Sequence, residues 1–332
     1  MSIFKTIPAG VKDILRRAGS LDRAIALAGQ YEFAKALQLP LSEALLAQDI
    51  VNGVFQTVNL TNGESLEYPM DILNPGDEDD FMAYVNPGHG RIPERQVEAD
   101  YVILRTYMLA NAIDIPLRIL RDANWDIMSR MLDIFKAGFI RKINIDGWHT
   151  ILASGASRNS IIYDSAATAG VMSRRLISLM EIEMRRQGGT FTTLKNRRVT
   201  HLFMSPEAKH DIYNWTLTEI DDVTRRDLYI AQSTGGVSKL LNTFLVDLNE
   251  FGVGQEHNDY FITALGQTLP GSKVEIVAGL DLSDPSFIMP VRENLVVNND
   301  EYMHRNQKAG VYGWMELGFA ALDNRDVLIG AL

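Results

Sequence analysis

The sequence predicts an α+β fold, in which helical and strand-like segments follow one another without an internal repeat. Long segments repeat apolar residues at helical spacing, and others alternate apolar and polar residues as half-buried strands do. The chain has 332 residues, of which 46% are hydrophobic and 22% charged. This composition is that of a globular protein with one large domain or two moderate ones.

The composition also excludes several classes of site. The sequence contains no cysteine, so disulfides and thiolate metal sites are excluded, and we expect a reducing compartment. Residues 1–10 lack a basic stretch followed by an apolar core, and no apolar run approaches the roughly 20 residues that span a bilayer. We therefore expect a protein without a secretory signal or a membrane anchor.

The formal net charge of −10 is concentrated in one segment. Between Asn52 and Asp100, ten acidic residues are opposed only by Arg91 and Arg95, so this segment carries −8. A protein that grips DNA or RNA would present a positive surface instead.

The N-terminal segment, residues 1–51, is predicted to be a helical arm. Ile14, Ala18, Leu21, Ile25 and Ala28 follow helical spacing within a predicted helix from Lys12 to Gln38. Pro40 ends that helix, and residues 41–50 are predicted to form a short second one.

Residues 52–111 show the pattern of strands. Val58 and Leu60 precede Asn62-Gly63, and Leu66 and Tyr68 follow it, which predicts a tight hairpin because both turn residues tolerate a positive φ. A strand-like run from Gln96 to Leu109 leads out of the segment. A long acidic hairpin has no core of its own, and it therefore needs a partner surface.

A long helix is predicted next, from about Asp122 to Asp146. Ile127, Met131 and Phe135 are among the residues at helical spacing. Asp122 or Asn124 is predicted to cap the start, and Gly147 is predicted to end the helix.

The segment 154–282 mixes both element types. We predict a helix that is capped by Ser165, carries Met172, Leu176, Leu179 and Met184, and ends with Arg185 and Arg186 before Gly188-Gly189. We also predict a strand over Val199–Met204, a short helix that begins at Ser205-Pro206, and a strand over Val274–Ala278.

The last segment, 283–332, is predicted to be strands. Phe287–Val297 forms one, and Gly310–Leu322 alternates with Val311, Met315, Leu317 and Phe319 on one face.

A search for chemistry predicts no catalytic, cofactor-binding or metal-binding residue. No metalloprotease, hydrolase or phosphate-loop motif is complete. The densest polar group, Glu256-His257-Asn258-Asp259, is interpreted as a solvated loop, with a metal site as the weaker alternative. The run Asp77-Glu78-Asp79-Asp80 is interpreted as a charged loop tip and not as a calcium loop.

A basic run could contact phosphate, but a solvated helix end or an acidic neighbouring subunit is the simpler reading. Its members are Arg185, Arg186, Lys195, Arg197 and Arg198.

Three stretches resemble the major capsid proteins of tailed bacteriophages, which have the Hong-Kong-97-like capsid fold. Residues 117–155 resemble the spine helix with its entry and exit, residues 199–208 the A-domain strand and helix, and residues 315–330 the C-terminal end of the family. The resemblance implies an N-arm over 1–51, an E-loop hairpin over 52–111, a spine helix over 112–153, an A-domain over 154–282 and C-terminal P-domain strands over 283–332. These matches occur in the family's order along nearly the whole chain.

The resemblance implies a structural protein without an enzymatic role. Subunits of this family form hexamers and pentamers that build an icosahedral or prolate head around phage DNA. We therefore expect self-association, a location in the virion capsid with assembly in the host cytoplasm, and scaffold, portal or cement proteins as further partners. DNA would be enclosed without sequence-specific contact, and no membrane would be involved.

The acidic E-loop of one copy is expected to meet basic residues near the spine helix of another. The candidate contact residues are Asp77, Glu78, Asp79 and Asp80 on the loop, and Arg118, Arg121, Arg130, Arg141 and Lys142 near the helix. No lysine occurs between Lys35 and Lys136, so the covalent E-loop cross-link of some family members is excluded. Because only about 50 residues precede the hairpin, we expect any scaffold to be a separate protein.

Three other functions stay open at this point. An encapsulin-type nanocompartment shell would share the fold and would enclose a cargo enzyme. A soluble metal- or nucleotide-dependent enzyme would be a small oligomer stabilised by its ligand. A phage tail or baseplate component would form rings or tubes.

Overall fold

The structure, a computed structural model, describes most of the chain. The described residues are 9–20, 22–34, 53–60, 67–69, 101–121, 125–158, 160–187, 197–216, 222, 224, 226, 228, 238–300 and 306–332. Several predicted features lie outside them, namely the helix over 41–50, the Asn62-Gly63 turn, the acidic run 77–80, the caps Asp122 and Asn124, and Gly188-Gly189. Within the described residues, no helix combines the length and the apolar character that crossing a membrane requires.

The chain divides into two compact units. Unit 1 contains Met1–Leu66, Leu104–Gly147 and Met289–Phe319, and unit 2 contains Glu67–Ile103, Trp148–Ile288 and Ala320–Leu332. Each unit therefore combines segments that are distant in sequence.

The N-terminal arm holds two helices where one was predicted. Helix α1 spans Ala9–Ala18, and helix α2 spans residues 23–34. The prediction of a single helix from Lys12 is wrong because Gly19 and Asp22 supply local end signals. A Cβ on Gly19 would lie 2.5 Å from the backbone N of Arg121, and the Asp22 carboxylate caps α2 by accepting from the Ala24 N–H at 2.9 Å.

Unit 1 is built on a sheet in the order β1-β10-β11-β4. Its strands are β1 (Gln56–Asn59), β4 (Tyr107–Pro116), β10 (Phe287–Asp300) and β11 (Lys308–Leu317). Strand β11 pairs antiparallel with β4 along its whole length, from Lys308 opposite Pro116 to Leu317 opposite Tyr107. The predicted strands over 287–297 and 310–322 are thus confirmed, although the second pauses at Gly318, where a Cβ would lie 2.3 Å from the Arg105 carbonyl oxygen.

The long helix packs closely on this sheet at two glycines. Helix α3 spans Leu117–Arg121, and helix α4 spans Trp125–Ala156. A Cβ on Gly138 of α4 would lie 2.8 Å from the Asn111 amide of β4, and a Cβ on Gly313 of β11 would lie 3.1 Å from the Phe135 ring. The absence of a side chain at both positions lets helix and sheet approach closely.

The prediction that Gly147 ends the long helix is wrong. The helix continues for another two and a half turns to Ala156. Gly147 costs about 1 kcal/mol relative to alanine in a helix interior. Burial of Trp148, Ile151 and Leu152, each 2% exposed or less, contributes about 1.5–3 kcal/mol per side chain and outweighs that cost.

The predicted hairpin around Asn62-Gly63 is also wrong in its pairing. In the described part of the sheets, β1 lies beside β10, whereas β2 (Glu67–Pro69) pairs with β3 (Tyr101–Ile103). The described strands before and after Asn62-Gly63 thus belong to different sheets.

Unit 2 is built on a six-stranded sheet in the order β5-β13-β9-β6-β8-β7. Its strands are β5 (Ile161–Tyr163), β6 (His201–Met204), β7 (Ser238–Leu240), β8 (Thr243–Asp247), β9 (Ile276–Leu280) and β13 (Val327–Ala331). Strand β12 (Ala320–Ala321) pairs with the first residues of β10. The residues of β9 and β13 are all buried, as expected for strands in the middle of a covered sheet.

Helices cover this sheet. Helix α5 spans Arg174–Arg186 and buries Leu176, Ile177, Met180 and Met184. A Cβ on Gly279 of β9 would lie 2.9 Å from Cε of Met180, and a Cβ on Gly330 of β13 would lie 2.9 Å from the Met180 sulfur. The two glycines therefore leave room for the Met180 side chain of this helix.

The predicted cap of helix α5 is wrong by two turns. Ser165 lies exposed in a turn, and Ser173 is the cap, with its hydroxyl accepting from the Leu176 N–H at 3.1 Å and donating to Asp164 at 2.8 Å. The predicted start of helix α6 (Pro206–Asn214) is confirmed, because Ser205 accepts from the Ala208 N–H at 3.0 Å.

Candidate assembly surfaces

Two pairs of the predicted basic contact residues lie on the surface of unit 1. Helix α3 buries Leu117 and Leu120 and exposes Arg118 and Arg121, which lie one turn apart and so project from the same side of the helix. Arg141 and Lys142 are exposed on α4. The fifth basic residue, Arg130, belongs to α4, but its side chain lies outside the described part, as do Asp77, Glu78, Asp79 and Asp80.

Lys142 already has a partner within its own unit. Its ammonium lies 2.7 Å from Oδ1 of Asp146 one turn further along α4, and the Tyr107 hydroxyl donates to Oδ2 of the same carboxylate at 2.7 Å. Burial, followed by the hydrogen bond to Asp146 and its charge, raises the pKa of Tyr107. The i, i+4 spacing of Lys142 and Asp146 is a sequence signal that could have revealed this pair. Arg118 and Arg121 are therefore the better candidates for contacts between copies.

A second surface lies on the side of the unit 1 sheet opposite α4. Residues of β11 alternate, so that Val311, Gly313 and Met315 face the helix side while Tyr312 and Trp314 face the other. We call this second side the outer sheet face, formed by Met108, Ala110, Ala112, Tyr312 and Trp314.

The outer sheet face is apolar at its centre and charged at its ends. The rings of Tyr312 and Trp314 lie 5.4 Å apart, and Met108 is 67% exposed. One end carries the ion pair of Lys308 with Asp114 at 3.5 Å, and the other that of Arg292 with Glu316 at 3.2 Å. An aromatic and methionine centre with a charged rim is typical of a protein–protein interface.

Unit 2 contains a buried ion network that sequence reasoning missed. Arg197 contacts Asp326 at 2.8 Å and Asp323 at 2.5 Å, and it also donates to the Gln187 carbonyl at 3.1 Å. The reading of the basic run as a solvated helix end is thus wrong for Arg197, which is 3% exposed. Burial alone would raise the pKa of Asp323, but the hydrogen bonds from Arg325 and the charge of Arg197 outweigh it and lower that pKa.

The polar group at 256–259 is a buried helix and not a solvated loop. Helix α7 (Glu256–Asp259) places His257 and Asn258 at 2% exposure. The Asn258 amide donates to the Val274 carbonyl and its oxygen accepts from the Ile276 N–H, both at 3.2 Å, which fixes the helix to β9.

The His257 ring lies among aromatic rings. Its centroid is 5.5 Å from that of Phe251, 5.9 Å from that of Trp148 and 6.0 Å from that of His149. His149 in turn stacks on Tyr260 with centroids 3.5 Å apart. Burial, followed by the charge of His149, lowers the pKa of His257 to about 4. Across the described ranges, no three His, Asp or Glu side chains come together as metal ligands would.

Comparisons with known proteins identify the fold. No protein-family sequence model and no curated protein sequence matches the chain. The capsid of cyanophage Pam1 matches with a TM-score of 0.57 and 12% identity, over 84% of this chain and 88% of that one. The capsid of cyanophage P-SCSP1u matches with a TM-score of 0.55 and 12% identity, over 84% and 86%. The mature capsid of bacteriophage PhiM1 matches with a TM-score of 0.52 and 10% identity, over 86% and 87%.

These matches run along most of both chains. They confirm the predicted α+β fold of the Hong-Kong-97-like type, which this chain shares with phage capsid proteins. Because identity is only 10–12%, the feature that these chains share is the backbone architecture.

Proposed function

We propose, from the fold that this chain shares with phage capsid proteins, that it is the major capsid subunit of a tailed bacteriophage. It assembles in the host cytoplasm into hexamers and pentamers, which form the icosahedral or prolate head of the virion. The observation that carries the proposal is a structural match over 84–86% of the chain to capsids of three phages. Scaffold, portal and cement proteins are the further partners that such a head would use.

The charge distribution supports a shell protein that encloses DNA without binding it through many phosphate contacts. The chain has a formal charge of −10, and phosphate contacts require Lys and Arg to displace counterions. The role is structural and non-enzymatic, and packaged DNA would be confined by the shell and not bound by sequence.

Charge complementarity supplies the proposed contact between copies. The acidic run Asp77–Asp80 of one copy meets the basic pairs Arg118/Arg121 and Arg141/Lys142, with Arg130, of the next. Exposed ion pairs contribute only about 0–1 kcal/mol each, so they would set the register of neighbouring copies more than the strength of the shell. The stronger attraction would come from apolar surface, for which the outer sheet face is the candidate in unit 1.

The first test is to express the chain alone and to examine it by size-exclusion chromatography and negative-stain electron microscopy. Closed polyhedral shells, or rings of five and six copies, are expected. Shells that co-purify with an enclosed enzyme would indicate an encapsulin-type compartment instead. A discrete monomer or dimer that never assembles, and whose melting temperature rises with a metal or nucleotide, would contradict the proposal in favour of an enzyme.

A second test addresses the charge contact. The double change Arg118→Glu and Arg121→Glu should slow assembly measured by light scattering at low salt, since it places like charges opposite one another. Reversing the loop with Asp77→Arg and Asp80→Arg should restore assembly of that variant. Failure of the combined variant to recover, together with assembly rates that do not respond to salt, would refute this contact while leaving the capsid role intact.

A further inference from the structure

The hairpin at the edge of the unit 2 sheet has an unusual tip. Strands β7 and β8 are joined by the two residues Leu241 and Asn242, with Leu240 paired to Thr243. Both tip residues have positive φ, 49° for Leu241 and 68° for Asn242, which is the backbone of a tight type I′ turn. Such turns favour Asn, Asp and Gly, because a Cβ is unfavourable in the left-handed region.

Leu241 is the exceptional residue of this tip. Among the described residues, the other non-glycine positions with positive φ are Asn242, Ser272 and Gln307, all of them polar. Leu241 places an aliphatic side chain in this conformation and leaves 51% of it exposed. The left-handed backbone conformation is unfavourable for leucine, and an exposed side chain gains little stabilisation from burial of its apolar surface. Asn or Gly at this position would therefore make the isolated subunit more stable.

The base of the hairpin holds this tip in a fixed position. Leu240 is buried, and the Thr243 hydroxyl donates to the Val199 carbonyl at 2.8 Å. The ammonium of Lys239 lies 5.0 Å from the centroid of the Phe244 ring. The projecting leucine is therefore presented on an anchored support.

Among the described strands, β7 is the last of this sheet, and its outer edge is a poor surface for adding another strand. It spans only Ser238–Leu240 and carries Lys239 at its centre, and short edges with lysine are the ones that discourage strand addition. The side chain of Leu241, and not the backbone of β7, is thus the group that this edge offers to a partner.

We propose that Leu241 contacts a second copy of this chain and that its left-handed conformation is retained for this contact. The inference rests on the proposed capsid function, in which each copy is surrounded by identical copies. The chemistry of the tip supports a protein occupant, because an aliphatic group offers no charge or hydrogen bond to the phosphates of an enclosed nucleic acid. Strain retained at an exposed apolar residue indicates a functional contact outside the subunit.

Three substitutions separate strain from contact. Leu241→Asn replaces the apolar side chain with one that suits the turn. Leu241→Ala removes the apolar atoms beyond Cβ and keeps the Cβ that causes the strain, and Asn242→Gly relaxes the turn and keeps Leu241. The melting temperature of the unassembled subunit and the lowest protein concentration that gives shells are measured for each. Leu241→Asn should raise the melting temperature by about 2 °C and raise the assembly concentration roughly threefold to tenfold. Leu241→Ala should raise the assembly concentration similarly without stabilising the subunit, and Asn242→Gly should stabilise it without weakening assembly.

The behaviour of the wild-type chain distinguishes failure of the tip contact from failure of the capsid function. If the wild-type chain forms shells and both Leu241 variants do so at the same concentration, the tip contact is refuted and the capsid function stands. If the wild-type chain forms neither shells nor rings under any salt or crowding condition, both are refuted.

Discussion

The guanidinium of Arg197 lies 2.8 Å from the carboxylate of Asp326, and the two side chains are 3% and 0% exposed. The same carboxylate accepts a hydrogen bond from the Ser286 hydroxyl, and Arg197 also contacts Asp323 at 2.5 Å. One buried cation thus joins the segment before β6 to the segment that leads into β13.

Replacing Arg197 with Met should destabilise unit 2 strongly. The change removes the guanidinium that pairs with the fully buried carboxylate of Asp326, and breaking a buried pair in this way costs about 3–5 kcal/mol. Urea denaturation followed by tryptophan fluorescence measures the loss. Arg185→Met is the matched control, because Arg185 is 62% exposed and its pair with Glu181 contributes less than about 0.5 kcal/mol. Equal effects of the two changes would show that the network does not stabilise the fold.

Stability should fall in mild acid because of His257. Its pKa is about 4 in the folded protein, whereas a histidine in the unfolded chain titrates near 6.5, so the unfolded chain binds more protons between these values. The contribution of the neutral, buried His257 to the free energy of unfolding is therefore fully present above about pH 6.5. It is lost as the pH falls towards 4, and the loss amounts to at most about 3 kcal/mol. Urea midpoints measured from pH 7.5 to pH 4 report this loss.

Replacing His257 with Phe should flatten that pH dependence, because the aromatic ring is kept and the titrating group is removed. His210→Gln, on the exposed side of α6, controls for the loss of a histidine as such. An unchanged slope in His257→Phe would mean that other groups cause the acid sensitivity.

The helix–sheet contact of unit 1 should not tolerate a side chain at Gly313. A Cβ there would lie 3.1 Å from the Phe135 ring and 3.2 Å from Leu295, so Gly313→Val forces neighbouring groups apart at a cost of about 1–3 kcal/mol. Gly53→Ala is the control, since no atom lies within 4 Å of a Cβ at that position. Thermal unfolding by circular dichroism should show a lower midpoint for the first variant only, and a wild-type midpoint for Gly313→Val would contradict the close packing.

The cap of helix α5 provides a test that separates two serines. Ser173→Ala removes the hydroxyl that accepts from the Leu176 N–H and should cost about 1 kcal/mol. Ser165→Ala, at the position that the sequence pattern suggested, should leave the stability within about 0.5 kcal/mol of wild type. The reverse order of effects in urea denaturation would exclude Ser173 as the cap.

Local signals predicted those parts of the fold whose partners lie close in sequence. The start of α6 was predicted because Ser205, Pro206 and the Ala208 N–H lie within one turn. The strand that begins near Gly310 was predicted because the alternation that places Val311, Met315 and Leu317 on one face is itself local. The order of these elements along the chain was enough to suggest the capsid fold.

Features that depend on distant residues were predicted wrongly or missed. Gly147 does not end α4 because tertiary burial of the next turns outweighs its low helix propensity. The strand at Val58 joins β10 and not the strand at Tyr68, which no spacing rule near Asn62-Gly63 could reveal. The burial of His257 was missed because residues 256–259 are all polar. The aromatic residues that bury it, Trp148 and Phe251, lie outside this segment of the sequence.

Strand β13 lies between β5, with which it runs parallel, and β9, with which it runs antiparallel. During translation, both neighbours leave the ribosome before Val327–Ala331 has been made, so the centre of this sheet stays open until then. A truncated chain that lacks these residues would leave β5 without its parallel partner and would leave one edge of β9 without the strand that covers it. Under the proposed function, the order of synthesis thereby acts as a quality check, because only a chain translated through β13 can present a finished unit 2 to its neighbours.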